Sequence, residues 1–339
     1  MKKVITGLGV CVLLLIAIAQ LEVVAYLYMQ ASGQLEVLWN ARPIDEILKD
    51  QSVDSVLKDK IRLVDRVMLF AEADLGLKTD GLYKTLYDQK GEDILWNLSV
   101  CEPYQLKSVE WYFPIVGAIS YKGYFNLDLA KEEGEKWKEK GYDIRIRPVN
   151  AWSTLGWFSD PILSNSLERS EGGISELFIH EITHSNIFIS DSLSFNENLA
   201  SFIGEKGARL FLAKEYGENS EQYKSYIREE EDTQMFINYC LYGLNELNNL
   251  YRSLDNSMPE SDKRIAKEIF MTNWVSKLDS MPFNDTTRFE NRFINQLPNN
   301  AFFMSFERYD SKKKAFNKIL ENDFDHDLKR FINFYKEQD

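Results

Sequence analysis

Glu176–Phe188 reads ELFIHEITHSNIF, and this stretch marks where the chain changes character. The protein has 339 residues but only three histidines, and two of them, His180 and His184, stand here four residues apart. On a helix, side chains at that spacing share one face, about 40° apart in rotation. Both imidazoles can therefore reach a single ion. The flanking Leu177, Ile179, Ile182 and Ile187 are apolar, which suits a helix buried in a core, where an ion would sit in a dry, shaped site.

Glu181, next to His180, points near the same place without being well set as a ligand. It is placed to take a proton from a water at the ion. This is the H-E-x-x-H arrangement of zinc peptidases. The bland alternative is a pair of core histidines, each bonded to a backbone carbonyl. Catalytic zinc usually keeps three protein ligands and one open position. A metzincin continuation would need glycine and histidine where the chain has Ile187 and Ser190. Glu197, thirteen residues past His184, is the candidate third ligand. It falls on an expected second helix that carries Ser201, Gly204 and Ala208 on nearly the same face. Small residues there would let the two helices approach closely. Glu197 has a competing role, because Ser194-x-x-Glu197 also reads as a capping box. Glu205 is either a partner for an imidazole N–H or a surface charge. His326, in Phe-Asp-His-Asp, reads as a solvated helix residue.

Composition sets the wider frame. A formal charge of −13 argues against nucleic acid, which needs a basic face. Hydrophobic content of 44% and aromatic content of 13% indicate a globular body. The three cysteines form no CxxC pair, so neither a disulfide framework nor a thiolate zinc site is expected.

The N-terminus is Lys2-Lys3 followed by an apolar run from Val4 to Ala19. That run is short for a bilayer span and fits a signal peptide, with Ala17-Ile18-Ala19 as a cleavage site. If it is retained, Val4–Met29 is long enough to serve as an anchor. Lipidation at Cys11 is poorly framed. All versions place the lysines inside and the body outside the cytoplasm, in the cell envelope, either anchored on the extracytoplasmic side or periplasmic. Residues 1–30 are thus set apart from a single domain, 31–339.

Within that domain the expected fold class is α+β: a small mixed half over 31–170, then a mainly helical half over 171–339, with the motif helix at the junction. Val53–Leu75 carries helical periodicity and Gly76 is its stop. Ile94–Val100, Val109–Pro114, Val116–Tyr121 and Tyr142–Arg147 read as strands, and Leu127–Lys140 reads as a helix ending at Gly141. The expected helices after the junction are Glu176–Phe188, Ser194–Tyr216, Ser220–Leu254, Ser261–Leu278 and Lys312–Tyr335.

Several blocks together resemble the bacterial predicted aminopeptidase family of membrane-associated zinc peptidases. They include Ala31–Leu38 with Ala41–Ile44, Phe113–Gly117 with Tyr121–Phe125, Gly141–Asp143, Arg147-Pro148, Ser153–Leu163 and Phe195–Ala200 with Gly204-Glu205 and Gly207-Ala208. The resemblance implies a zincin-like helix of gluzincin type, one Zn2+ per chain held by His180, His184 and Glu197, and Glu181 as general base. The implied reaction is hydrolysis of a peptide substrate, with aminopeptidase action as the family name has it. The alternatives are an envelope endopeptidase or a non-catalytic envelope protein with structural zinc. A tetrahedral oxyanion needs a second donor besides the ion, and Tyr121 and Tyr124 are the candidates. Ser153–Pro161 is expected to border the cleft. The family's membrane association implies contact with the bilayer through the N-terminal segment.

Overall fold

The computed structural model describes residues 23–113, 117–149, 160–190, 192–255, 257–310 and 312–338. The N-terminal apolar run through Ala19, Pro114 and Val116 of two expected strands, and Ser153–Ser159 of the expected cleft border lie outside the described residues. The fold is α+β, with short strands confined to the first half and helices filling the second.

The first half begins with α1, described over residues 23–40, then β1 (Arg42–Pro43), α2 (Ile44–Lys49) and α3 (Ser55–Ala73). Asp54 caps α3 by accepting from the Val56 amide, and the chain leaves through Gly76 at φ +71°, a conformation that suits glycine. β2 (Thr85–Tyr87), β3 (Trp96–Cys101), β4 (Trp111–Phe113), β5 (Gly117–Ile119) and β6 (Lys122–Tyr124) follow, then α4 (Leu127–Glu139), β7 (Asp143–Pro148) and β8 (Ile162–Leu163). Three small sheets result. β1 pairs antiparallel with β2, and β2 pairs parallel with β8. β3 lies between β6 and β7, antiparallel to both, with Asn97 opposite Gly123 on one side and Arg147 on the other. β4 and β5 form a separate hairpin.

The second half holds α5 (Glu171–His184), α6 (Leu193–Tyr216), α7 (Glu221–Ser253), α8 (Glu260–Leu278), α9 (Asn300–Asp310), α10 (Lys313–Phe324) and α11 (Leu328–Lys336). Three apolar cores support the body. The largest joins α3, α5, α6, α10 and α11 through residues such as Val67, Ile179, Phe202, Phe211 and Phe331. A second, rich in aromatics, joins α7, α8 and α9. A third lies between β3, β6, α1 and α4.

Three expectations about elements need correcting. The motif helix starts at Glu171, not Glu176, because Ser170 caps it by accepting from the Gly173 amide. It ends at His184, not Phe188. Lys312–Tyr335 is two helices, since Asp325 and His326 both adopt positive φ, 50° and 61°. His326 is exposed as expected, but on this turn and not on a helix. β6 and α9 were not foreseen.

Candidate metal centre and cleft

The site is assembled by the packing of α5 on α6. Glycine permits the close approach: a Cβ at Gly204 would lie 2.9 Å from the Glu176 carbonyl oxygen and 3.2 Å from the His180 Cβ. The connection between the two helices is pinned from both ends. Asn186 bonds to both the amide and the carbonyl of Lys78, and the Asn196 side chain bonds to both the amide and the carbonyl of Ile189. Asn198 accepts from the Lys312 amide, so both residues flanking Glu197 are tied to neighbouring backbone.

Glu197 consequently faces the histidines. Its Oε2 lies 3.6 Å from Nε2 of His180 and 3.6 Å from Nε2 of His184, and the two Nε2 atoms are 3.1 Å apart. An ion with bonds of about 2.0–2.1 Å in tetrahedral geometry separates its ligand atoms by roughly 3.3–3.4 Å. The triangle has that size, so the residues fit a metal ion. Among the described residues, His180, His184 and Glu197 form a group able to hold one. The capping role for Glu197 gives way in this arrangement, because α6 starts at Leu193 and places Ser194 inside the helix.

Electrostatics bind the three groups together. Burial opposes ionisation of Glu197, but His184 and His180 outweigh it and hold the carboxyl well below the usual range. Burial also opposes the charged form of His184, yet Glu197 beside it raises its pKa on balance. The Ser201 hydroxyl lies 3.5 Å from Nδ1 of His180, at the limit of a hydrogen bond. With Nε2 turned to an ion, Nδ1 carries the hydrogen and Ser201 accepts it.

His180 and Glu181 open onto a cleft of about 480 Å³ that follows α5 back toward Ser170. Glu181 is buried, at 9% exposure, and lines this cleft beside His180. The opposite wall comes from α6, α7 and the start of α10, with Phe202, Glu205, Tyr226, Thr233, Gln234 and Lys313. This size suits a small ligand or the end of a chain.

Neither Tyr121 nor Tyr124 is brought to the cleft. Tyr124 is buried in the third core, edge-on to Tyr26 at 5.7 Å, and its hydroxyl has no hydrogen-bond partner among the described residues. Tyr121 immediately precedes β6. The tyrosine that does line the cleft is Tyr226 on α7, which donates a 2.9 Å bond to Glu176. No local pattern signals it, because the partners are fifty residues apart. Glu205 is buried too, but its partner is the Lys313 ammonium and not an imidazole. Lys313 also donates to Gln234. Burial pushes the Lys313 pKa down to about 8, while Glu176 pulls it back.

A His-Glu-x-x-His helix, joined by a glutamate from the next helix and opening onto a cleft, defines an α+β protein whose centre can hold a metal ion. The chain belongs to the family described as "Putative aminopeptidase", whose model matches residues 25–338. No curated protein matches the chain, and no solved structure does.

Proposed function

We propose that the protein is a zinc metallopeptidase of HExxH, gluzincin type that hydrolyses the first peptide bond of peptides with a free amino terminus. The observation that carries this reading is the ion-sized triangle of His180 Nε2, His184 Nε2 and Glu197 Oε2, with Glu181 beside it in the cleft. Membership of the aminopeptidase family supports the reaction class.

In this reading the two imidazoles and Glu197 hold one Zn2+. Zinc, when bound, supplies a Lewis acid for the scissile carbonyl and lowers the pKa of water toward neutrality. The Glu181 carboxylate takes the proton of the attacking water and hands it to the departing amine. Ser201 fixes the His180 ring. The apolar residues behind α5, among them Ile179 and Ile182, keep bulk water away from the rear of the site and so strengthen the electrostatics within it.

Metal analysis of the wild type, Glu197→Ala and Glu181→Gln tests this. We expect about one zinc per chain in the wild type, loss of it in Glu197→Ala, and retention without hydrolysis in Glu181→Gln. A wild type that takes up no zinc, or a Glu181→Gln protein that still cleaves peptides, overturns the reading.

We also propose that the body is exported and held at the membrane through its N-terminal segment. Support comes from α1, where Val24, Leu27 and Tyr28 are exposed just beyond the apolar run. Among the described residues, no helix is long and apolar enough to cross a membrane. Recovery of the full chain from the cytosolic fraction would exclude this placement.

A further inference from the structure

The cleft holds several glutamates, and most already have a partner. Glu205 is paired with Lys313. Glu230 takes both nitrogens of a fork from Arg209, at 2.5 Å each. Glu229 accepts from Ser170 and Ser225, and Arg288 bonds to its carbonyl. Glu181 lines the cleft beside His180 as the proposed base, and Glu197, outside the lining, faces the imidazoles. Glu176 differs: its hydrogen bond comes from a neutral donor, the hydroxyl of Tyr226, and the Lys313 charge acts on it only through space. A single O–H donor leaves a carboxylate with free lone pairs.

Its position is informative. Glu176 precedes His180 by four residues, so the two side chains share one face of α5 with Cβ atoms about 5–6 Å apart. The ring of Tyr226 can lie against α5 because position 172 is glycine: a Cβ there would stand 2.3 Å from the ring. Burial disfavours the charged form of Glu176 and raises its pKa, while Tyr226 and Lys313 oppose that shift. Such a carboxylate gains more from an incoming cation than a solvated one does.

We propose that Glu176, held by the Tyr226 hydroxyl, is the anchor for the α-ammonium group of the substrate, and that it sets cleavage one residue in from the free amino terminus. The proposal rests on the peptidase reading above and deepens it. One extended residue spans about 3.3–3.6 Å. Sharing one face of α5 puts the anchor and the metal centre within reach of a single residue, and a second residue would add about another 3.3–3.6 Å. The substrate class is therefore peptides with an unmodified N-terminus. N-acetylated peptides place a neutral amide against Glu176 and lose the ion pair. Glu205, on the opposite wall, is less suited to the role because the Lys313 ammonium already pairs with it.

The test compares wild type, Glu176→Gln and Tyr226→Phe as full chains, each checked for fold and zinc content. Calorimetry measures binding of leucinamide and N-acetyl-leucinamide, and peptide assays follow product identity. We expect wild type to bind leucinamide at least tenfold more tightly than the acetylated form. Glu176→Gln should abolish that preference while leaving zinc content and acetyl-leucinamide affinity unchanged. Tyr226→Phe should weaken leucinamide binding several-fold and leave the acetylated ligand alone, which keeps the test decisive should Glu176→Gln fail to fold. If wild type prefers the free amine and the folded variants keep that preference, the anchor is elsewhere and the aminopeptidase reading survives. If zinc-loaded wild type shows no preference, both the anchor and the exopeptidase reading fall. Release of dipeptides in place of single residues would overturn the one-residue spacing.

Discussion

Gly204→Ala sets two effects of opposite sign against each other. In a helix interior, alanine is favoured over glycine by roughly 0.5–1 kcal/mol, so an unconstrained position would gain stability. Here the new Cβ would meet the Glu176 carbonyl oxygen at 2.9 Å and the His180 Cβ at 3.2 Å. Carbon contacts are comfortable only near 3.5–4.0 Å, so α5 and α6 must separate by about half an ångström. Overpacking of this kind costs about 1–3 kcal/mol, and these neighbours are main-chain or near-main-chain atoms that cannot swing aside. The net change is a destabilisation of about 0.5–2 kcal/mol, which for a chain this long lowers Tm by a few degrees at most. The metal centre is more sensitive than the fold. Glu197 stands seven residues before Gly204, on the same face of α6, and travels with it, while the imidazoles travel with α5. Ligand distances tolerate only about ±0.2 Å, so zinc affinity should fall by about 10–100-fold. Competition with a chromophoric chelator gives the affinity, and melting in excess chelator isolates the packing term. Gly207→Ala is the comparison, since its Cβ meets side-chain atoms of Ile179 and Leu75 at 3.0–3.1 Å; it should keep wild-type zinc affinity. A Gly204→Ala protein that melts higher and binds zinc as before would refute the idea that this approach seats Glu197.

Two further outcomes follow from the charges. In the metal-free protein, Glu197 outweighs burial and raises His184, so its NMR titration should have a midpoint above the ordinary value of about 6.5. In Glu197→Gln, burial is opposed only by the smaller pull of Glu181, and the midpoint should drop below it. The sign for stability follows: the raised value stabilises the metal-free fold fully below the unfolded pKa, and that contribution fades as pH climbs through the folded one. A midpoint unmoved by Glu197→Gln would break the coupling. Lys313→Met strands the buried Glu205 carboxylate without its ammonium, which should cost about 3–5 kcal/mol in urea melts. Adding Glu205→Gln should restore much of that loss, and failure to do so would show that Lys313 serves another partner.

What could be read from the sequence was governed by distance along the chain. His180, Glu181 and His184 announce themselves because one helical turn fixes their relation, and nothing distant can change it. Glu197 was reachable because its neighbours at 201, 204 and 208 are small and repeat with helical period, which is a statement about packing written locally. The same stretch also carried a misleading local pattern. Ser194-x-x-Glu197 fits a capping box, but the helix begins one residue earlier and the carboxylate meets the imidazoles instead. The break at Asp325-His326 was hidden for a related reason, since neither glycine nor proline marks a turn made by two residues at positive φ.

Of the cleft wall opposite α5, the sequence singled out only Glu205, and not its partner. Tyr226 meets Glu176 across fifty residues and Lys313 meets Glu205 across 108, and each side chain in isolation looks like an ordinary member of a charged helix face. Tyr121 and Tyr124 sit in a distinctive block of sequence, yet Tyr124 spends its ring on the core between β3, α1 and α4. Two glycines decide what the periodicity could not. Gly172 makes room for the Tyr226 ring and Gly204 for the α5 backbone, so the residues that bring the wall and the metal centre together are the ones with no side chain to reveal a face. The part of the site that would do the chemistry is therefore encoded locally, whereas the part that would choose the substrate is encoded in long-range packing.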